Sequence, residues 1–420
     1  MTRTTLDDWL SWQQGLHPSA IDLGLTRVHR TLARLGWRKP ACPVITVGGT
    51  NGKGSAVAML NSILSAAGYR VGTFTSPHLL RYNERIVIDG REVSDASLIA
   101  AFDRIDRARG EDTLTFFEFN ALAALLIFET AGLDAIVLEV GLGGRLDAVN
   151  AVDADVALIT SISLDHCDWL GPDVETIGRE KAGIFRTDRP AVFSALQMPN
   201  SMQEQADALG ARLLRLGRDF TYVRAGDLWD WQGLGTQLVR LPPPALHGEV
   251  QFDNASGVIA TLTALHDRLH VSRDAVAVGL SNVRLTGRFQ RFEHKAHWIV
   301  DVAHNPAAAA TLASQLGQMP VSGRRIAVCG ILADKDIEAI VQVLKESFDE
   351  WIVAGLTSDR ALSTEALVER IAAQGVPVVA SANTVEAACE IAQTRSASDD
   401  LVVVFGSFLI VGPALSWLSR

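Results

Sequence analysis

The stretch TVGGTNGKGSAVAML, residues 46–60, sets Lys53 and Ser55 among glycines, between an apolar run and a helical pattern. A glycine-rich turn entering a helix brings backbone N–H groups and the positive end of the helix dipole to one point, which binds phosphate. Glycine allows the close approach and the positive φ angles such a cradle needs. Lys53 would reach the β/γ-phosphates of a nucleotide, and Ser55 could ligate Mg²⁺. In the commonest phosphate loop, G-x-x-x-x-G-K-[ST], the hydroxyl follows the lysine directly; here Gly54 intervenes. On spacing alone the stretch is a degenerate loop, a ligand-free glycine turn, or the loop of a different ATP-using family.

Other residues could join it. Ser76, in FTSPHLLRYNERI, ends a strand-like run just before Pro77. Glu139, in IVLEVGLGGRLDAVN, ends another and precedes a second glycine-rich turn. Mg²⁺ prefers oxygen donors and keeps several waters, so Glu139 reads as a metal ligand or, alternatively, as a helix cap or arginine partner. Asp165 and His166 close a third run in SISLDHCDWLG, and Lys181 lies among glycines and apolar residues in IGREKAGIF. Spacing alone selects neither His166 nor Lys181.

The elements that must position these residues alternate. Apolar β-type runs at 43–49, 70–76, 134–141, 155–162 and 190–195 are separated by helical patterns such as 55–69. That rhythm predicts an α/β fold with right-handed crossovers and a mainly parallel sheet covered on both faces. The pattern blurs at 220–247, where LPPPALHGE reads as loop-rich. A second series begins near residue 298, with HWIVDVAHNP, RRIAVCGIL, EWIVAG, PVVAS and DDLVVVFGSFLIV as five strand-like runs. The chain therefore reads as a large P-loop-type domain over 1–285, a polar and basic hinge at 286–297, and a smaller Rossmann-like α/β domain over 298–420.

Composition agrees with two domains: 420 residues are too many for one core, with 48% hydrophobic and 20% charged residues. No apolar run reaches the roughly 18 residues a membrane helix needs, and acids stand where a signal peptide would be apolar. Four dispersed cysteines without a C-x-x-C pair argue for a reducing, cytoplasmic setting and against a zinc site. A net charge of −10 without a basic block argues against nucleic acid as a partner.

Seven motifs, GTNGKGS, TSPHL, EVGLGGRLDAVN, SLDH, REKAGI, GRFQ and DVAHNP, occur in this order. Together they closely resemble the folate branch of the Mur ligase family, from about Asp22 to the VVVFGSF run. In that family a glycine between the lysine and the hydroxyl is the normal form, so the resemblance resolves the loop. It implies an ATP-dependent ligase that adds L-glutamate to dihydropteroate and to the γ-carboxylate of reduced folates through an acyl phosphate, or to only one of the two. It also implies a monomer, with the acyl phosphate shielded from water by closure of two domains. A P-loop regulatory ATPase and a cell-wall ligase are the rival readings.

The resemblance also assigns roles. Gly52, Lys53, Gly54 and Ser55 correspond to the ATP-phosphate cradle, Ser76 and Glu139 to ligands of a first Mg²⁺, and His166 to a ligand of a second. Imidazole is an unusual donor for so hard an ion. Lys181 matches a lysine that carries CO₂ as a carbamate, which needs a neutral amine and so a lowered pKa. Arg288 in GRFQ and Asp301 in DVAHNP match nucleotide contacts, with His304 beside them; Asn254 matches an asparagine near the adenine, although Gln251 departs from the usual form there. Dihydropteroate would lie against Asp22, Leu23, Gly24 and Leu25, against Thr115, Phe116, Phe117 and Glu118, and against Leu146, Asp147 and Ala148. In this arrangement Phe116 and Phe117 offer aromatic surface, with Asp22 and Glu118 as polar partners.

Overall fold

The computed structural model describes residues 3–420, which divide into two compact units. The first comprises residues up to 78, 82–245 and 251–284; the second comprises 79–81, 246–250 and 285–420.

The first unit is built on an eight-stranded sheet. Its strands are β1 (Val44–Gly48), β2 (Val71–Phe74), β3 (Ile86–Ile88), β4 (Arg91–Glu92), β5 (Ala135–Glu139), β6 (Val156–Ile159), β7 (Pro190–Phe193) and β8 (Arg212–Arg215). The spatial order is β4-β3-β2-β5-β1-β6-β7-β8, with β2–β3 and β3–β4 antiparallel and the other pairs parallel. Strands β1, β2, β5 and β6 are buried at every residue. This is why they read as continuous apolar runs, helices covering both faces of a parallel sheet. Their carboxyl ends release residues 49–52, 75–77, 140–142 and 160–163, where ligands of open α/β sheets bind.

The 220–247 region differs from its reading as loop-rich. It forms a three-stranded antiparallel sheet of β9 (Phe220–Ala225), β10 (Leu228–Gly233) and β11 (Thr236–Leu241). Trp229 and Trp231 are fully buried while Asp230 between them is not, a period-2 pattern. The prolines lie beyond the last strand.

The second unit carries a six-stranded sheet: β12 (Gln290–Glu293), β13 (His297–Val300), β14 (Arg325–Cys329), β15 (Glu350–Ala354), β16 (Val378–Ala382) and β17 (Leu401–Phe405), in the order β12-β13-β17-β14-β15-β16. Only β12 is antiparallel to its neighbour. The last apolar run is divided: the strand ends at Phe405, and Ser407 caps the helix Phe408–Leu418, so FLIV is helical rather than extended. Among the described residues no helix is long and apolar enough to cross a membrane.

Candidate active site

The loop after β1 turns through Gly49 (φ +136°) and Gly52 (φ +89°) into the helix Lys53–Ala66. Both glycines also lack room: a Cβ on Gly52 would stand 2.8 Å from Asn254 Oδ1, and one on Gly49 would strike the Thr160 hydroxyl. Residues after β6 clamp the loop. The Thr50 N–H donates to the Ser161 carbonyl (2.7 Å), and the Thr160 and Ser161 hydroxyls donate to the Asn51 carbonyl (2.6 and 3.1 Å). The cradle is thus preformed, with the helix N-terminus behind it. Sequence reasoning passed over Thr160 and Ser161, whose partners lie more than a hundred residues away.

Two lysines meet at this loop. Lys53 Nζ donates to the carbonyls of Gly49 (3.0 Å) and Thr50 (3.1 Å), and Lys181 Nζ donates to the same Gly49 carbonyl (3.0 Å). Burial, with the Lys53 charge beside it, pulls the Lys181 amine down to about 7. Ser55, the third residue of the helix, is buried, and its hydroxyl accepts from Gln251 Nε2 (3.5 Å). Gln251 in turn accepts from Asn254 Nδ2 (3.1 Å). Asn254 is thereby set against Gly52 of the phosphate loop, and Gln251, where this chain departs from the family pattern, is part of that link.

Glu139, at the end of β5, is 5% exposed, and its Oε2 accepts the Ser76 N–H (3.1 Å). This joins the two candidate Mg²⁺ ligands across neighbouring strands. Among the described residues no three His, Cys, Asp or Glu side chains form a ready metal cage. Two oxygen donors beside a phosphate cradle nevertheless suit Mg²⁺, which takes much of its shell from phosphate oxygens and water. His166 has φ +52° and begins the helix Cys167–Leu170; its Nε2 is 3.9 Å from Asp165 Oδ1.

A cavity of about 260 Å³ includes Ser76, His166 and Arg85 in its lining. It also touches Asp22–Gly24, Thr115–Glu118 and Leu146–Ala148, three stretches far apart in the sequence. Leu25 is outside that lining and stands at the N-cap of the helix Thr26–Leu35. Glu118 is partly committed to the fold: it closes a capping box with Thr115 at the start of the helix Phe116–Thr130. Arg27, which the sequence did not single out, bridges Glu118 (3.0 Å) and Asp22 (2.6 Å). Phe117 packs over Gly141 and lies 5.8 Å from the Phe74 ring. Burial pushes the Asp147 carboxyl up to about 7, although it accepts the N–H groups of Gly141, Leu142 and Val149 at 2.9–3.0 Å.

Within the second unit, Asp301 is buried and ties the GRFQ turn to DVAHNP: its carboxylate accepts the Phe289 and Ala303 N–H groups, both at 2.8 Å. Burial raises its pKa, against the pull of Arg288. The Arg288 guanidinium and the His304 ring each lie 5.9 Å from the Phe408 ring, and His304 Nδ1 pairs with the Val302 carbonyl (2.7 Å). The motif residues Arg288, Asp301 and His304 are thus gathered around one turn.

A glycine-rich strand end turning into a helix, with Lys53 and the buried Lys181 at its carbonyls and the buried Glu139 on a neighbouring strand, has the arrangement of a P-loop nucleotide site. Residues 47–225 match the Mur ligase middle domain, and residues 287–408 match the Mur ligase glutamate ligase domain. The dihydrofolate synthase/folylpolyglutamate synthase of Escherichia coli (strain K12) is 45% identical over 403 residues, covering 96% of this chain and 93% of that protein. The structure of E. coli FolC in complex with DHPP and ADP superposes with a TM-score of 0.94 at 44% identity, covering 99% of this chain and 98% of that one. A bifunctional folylpolyglutamate synthase/dihydrofolate synthase with Mn, AMPPNP and L-glutamate bound gives 0.91 at 43% identity, with 99% and 98% covered. The chain belongs to the Mur ligase family, in its dihydrofolate synthase/folylpolyglutamate synthase branch.

Proposed function

We propose that this chain is an ATP-dependent acid–amino-acid ligase that adds L-glutamate both to dihydropteroate and to the γ-carboxylate of reduced folates. The observation that carries this reading is the cavity lined by Ser76 and His166 together with three separate stretches of apolar and polar residues. An aryl acid seated there would have its carboxylate near a nucleotide held at the Gly52–Ser55 cradle. A carboxylate oxygen attacks the γ-phosphorus, the bond to the β-phosphate oxygen breaks, and ADP leaves. The glutamate nitrogen then attacks the acyl carbon, gives up a proton, and inorganic phosphate departs.

In this reading the loop N–H groups and Lys53 bind the phosphates, Lys53 exchanging its two backbone carbonyls for phosphate oxygens. Ser76 and Glu139 would hold Mg²⁺, and His166 with a carbamylated Lys181 would serve a second ion. The metal supplies charge neutralisation at the phosphate oxygens. Arg288, Asp301 and His304 are the further nucleotide contacts that the family resemblance implies. Residues 1–285, a hinge at 286–297 and residues 298–420 are the corresponding functional divisions, and the enzyme works as a cytoplasmic monomer. The apolar walls of the cavity keep water from the reacting carboxylate.

The test is phosphate release with ATP, Mg²⁺ and L-glutamate, comparing 7,8-dihydropteroate with a reduced folate monoglutamate. Both substrates should support turnover, and Lys53→Ala should cost each about a hundredfold or more. Release with one substrate alone would make the enzyme monofunctional; release with neither would overturn the reading.

A further inference from the structure

Arg85 ends the short 3-10 turn Tyr82–Arg85 just before β3, is 7% exposed, and lines the cavity. Its Nε donates to His78 Nδ1 at 2.8 Å, so that ring nitrogen is an acceptor and the imidazole is neutral. The guanidinium carbon lies 5.6 Å from the Phe116 ring and 5.7 Å from the Tyr82 ring. Among the described residues no carboxylate comes within ion-pair distance of Arg85; Glu139 and Glu84 act on it only at longer range. Arg27, by contrast, is paired with Asp22 and Glu118, and Arg324 with Glu350 and Asp400.

A guanidinium keeps its charge even when buried, and a buried charge without a counter-ion is costly. A fork that is fixed at Nε, flanked by rings and left without an acid suits a planar two-oxygen anion. Phosphate is provided for elsewhere, at the helix start Lys53–Ala66. The cavity that Arg85 lines also has apolar residues in its lining, Leu23, Pro77, Phe116 and Leu142 among them, which suits an aryl acid.

We infer that Arg85 is the residue that recognises and orients the carboxylate of the acid substrate in this cavity, with His78 fixing the guanidinium from behind. The inference rests on the reading of the cavity given above. It makes Arg85 a determinant of specificity for acids over neutral isosteres: the carboxylate takes both Nη groups, whereas an amide offers one acceptor and no charge.

Titration calorimetry with pteroic acid and its carboxamide, without ATP or metal, separates the possibilities. The wild-type enzyme should bind the acid at least about tenfold tighter than the amide, the discrimination expected of one charge-assisted bidentate contact. Arg85→Met should bind the two within about twofold, with amide affinity retained, and Lys53→Ala should keep the full preference. An unchanged acid/amide ratio in Arg85→Met, or no preference in the wild type, overturns the inference and leaves the cavity reading intact. Binding of neither compound overturns both. Should Arg85→Met fail to fold, the wild-type ratio decides together with Arg85→Lys, which should keep part of the preference.

Discussion

Lys181 shows how much a single buried group can carry. Its amine is buried beside Lys53, donates to the Gly49 carbonyl, and titrates near 7 rather than near 10.5. A carbamate forms only on the neutral amine. At fixed dissolved CO₂, that form should therefore rise from roughly one-tenth to roughly nine-tenths of the protein between about pH 6 and pH 8. Enzyme stripped of CO₂ should lose turnover and regain it on adding bicarbonate, more fully at the upper end of that window. Turnover indifferent to CO₂ would remove the modification from the mechanism, and Lys181→Arg, always charged, should not recover at any pH. Stability follows with a definite sign. The folded pKa lies below the unfolded one, so the unfolded chain binds more protons between about pH 7 and 10.5 and stability climbs with pH across that window. Lys181→Met should therefore raise the Tm most below about pH 7, with the gain vanishing near pH 10.5, as calorimetry at several pH values would record.

At the scale of elements, the proposed phosphate loop is a strand end, two glycines with positive φ and a helix start, and its geometry can be separated from its strain. Gly52 and Gly68 have nearly the same backbone angle, φ +89° and +87°. A Cβ on Gly52 would meet Asn254, whereas nothing lies within 4 Å of one on Gly68. Alanine at either site should cost about 1–2 kcal/mol for the left-handed backbone, but only Gly52→Ala should also weaken nucleotide binding, by about tenfold or more. Equal nucleotide affinity in the two variants, measured by calorimetry with ADP, would mean that the loop does not cradle phosphate. The strands bearing Gly48, Phe74, Glu139 and Ile159 were legible because doubly covered parallel strands are continuous apolar runs ended by functional residues. The sheet at 220–241 was overlooked although Trp229 and Trp231 alternate with Asp230, because the neighbouring prolines dominated the reading. Arg27 and the Thr160–Ser161 clamp were illegible for another reason. Arg27 acts on Glu118 across ninety-one residues, and no local pattern encodes such a partner.

For the whole molecule, the question is how the two proposed glutamate additions would share one chain. The first unit places Asp22–Gly24, Thr115–Glu118 and Leu146–Ala148 around the same cavity that takes in Ser76 and Arg85. Both acid substrates share the pterin and aryl portions, and they differ in the length between the ring and the carboxylate that reacts. If the same cavity receives both, the two activities cannot proceed together on one molecule. Dihydropteroate should then inhibit glutamate addition to a reduced folate competitively, with an inhibition constant equal to its own KM as substrate. The reduced folate should inhibit dihydropteroate ligation in the same way. Initial rates over a grid of both substrates, read from ³H-glutamate incorporated into each product, would test this. Lines that converge off the ordinate, or a rate with both substrates equal to the sum of the separate rates, would require a second acid site. Mutual competition with matching constants would instead mean that this chain extends folate and makes it at one set of side chains. The relative concentrations of the two acids would then decide which product it forms.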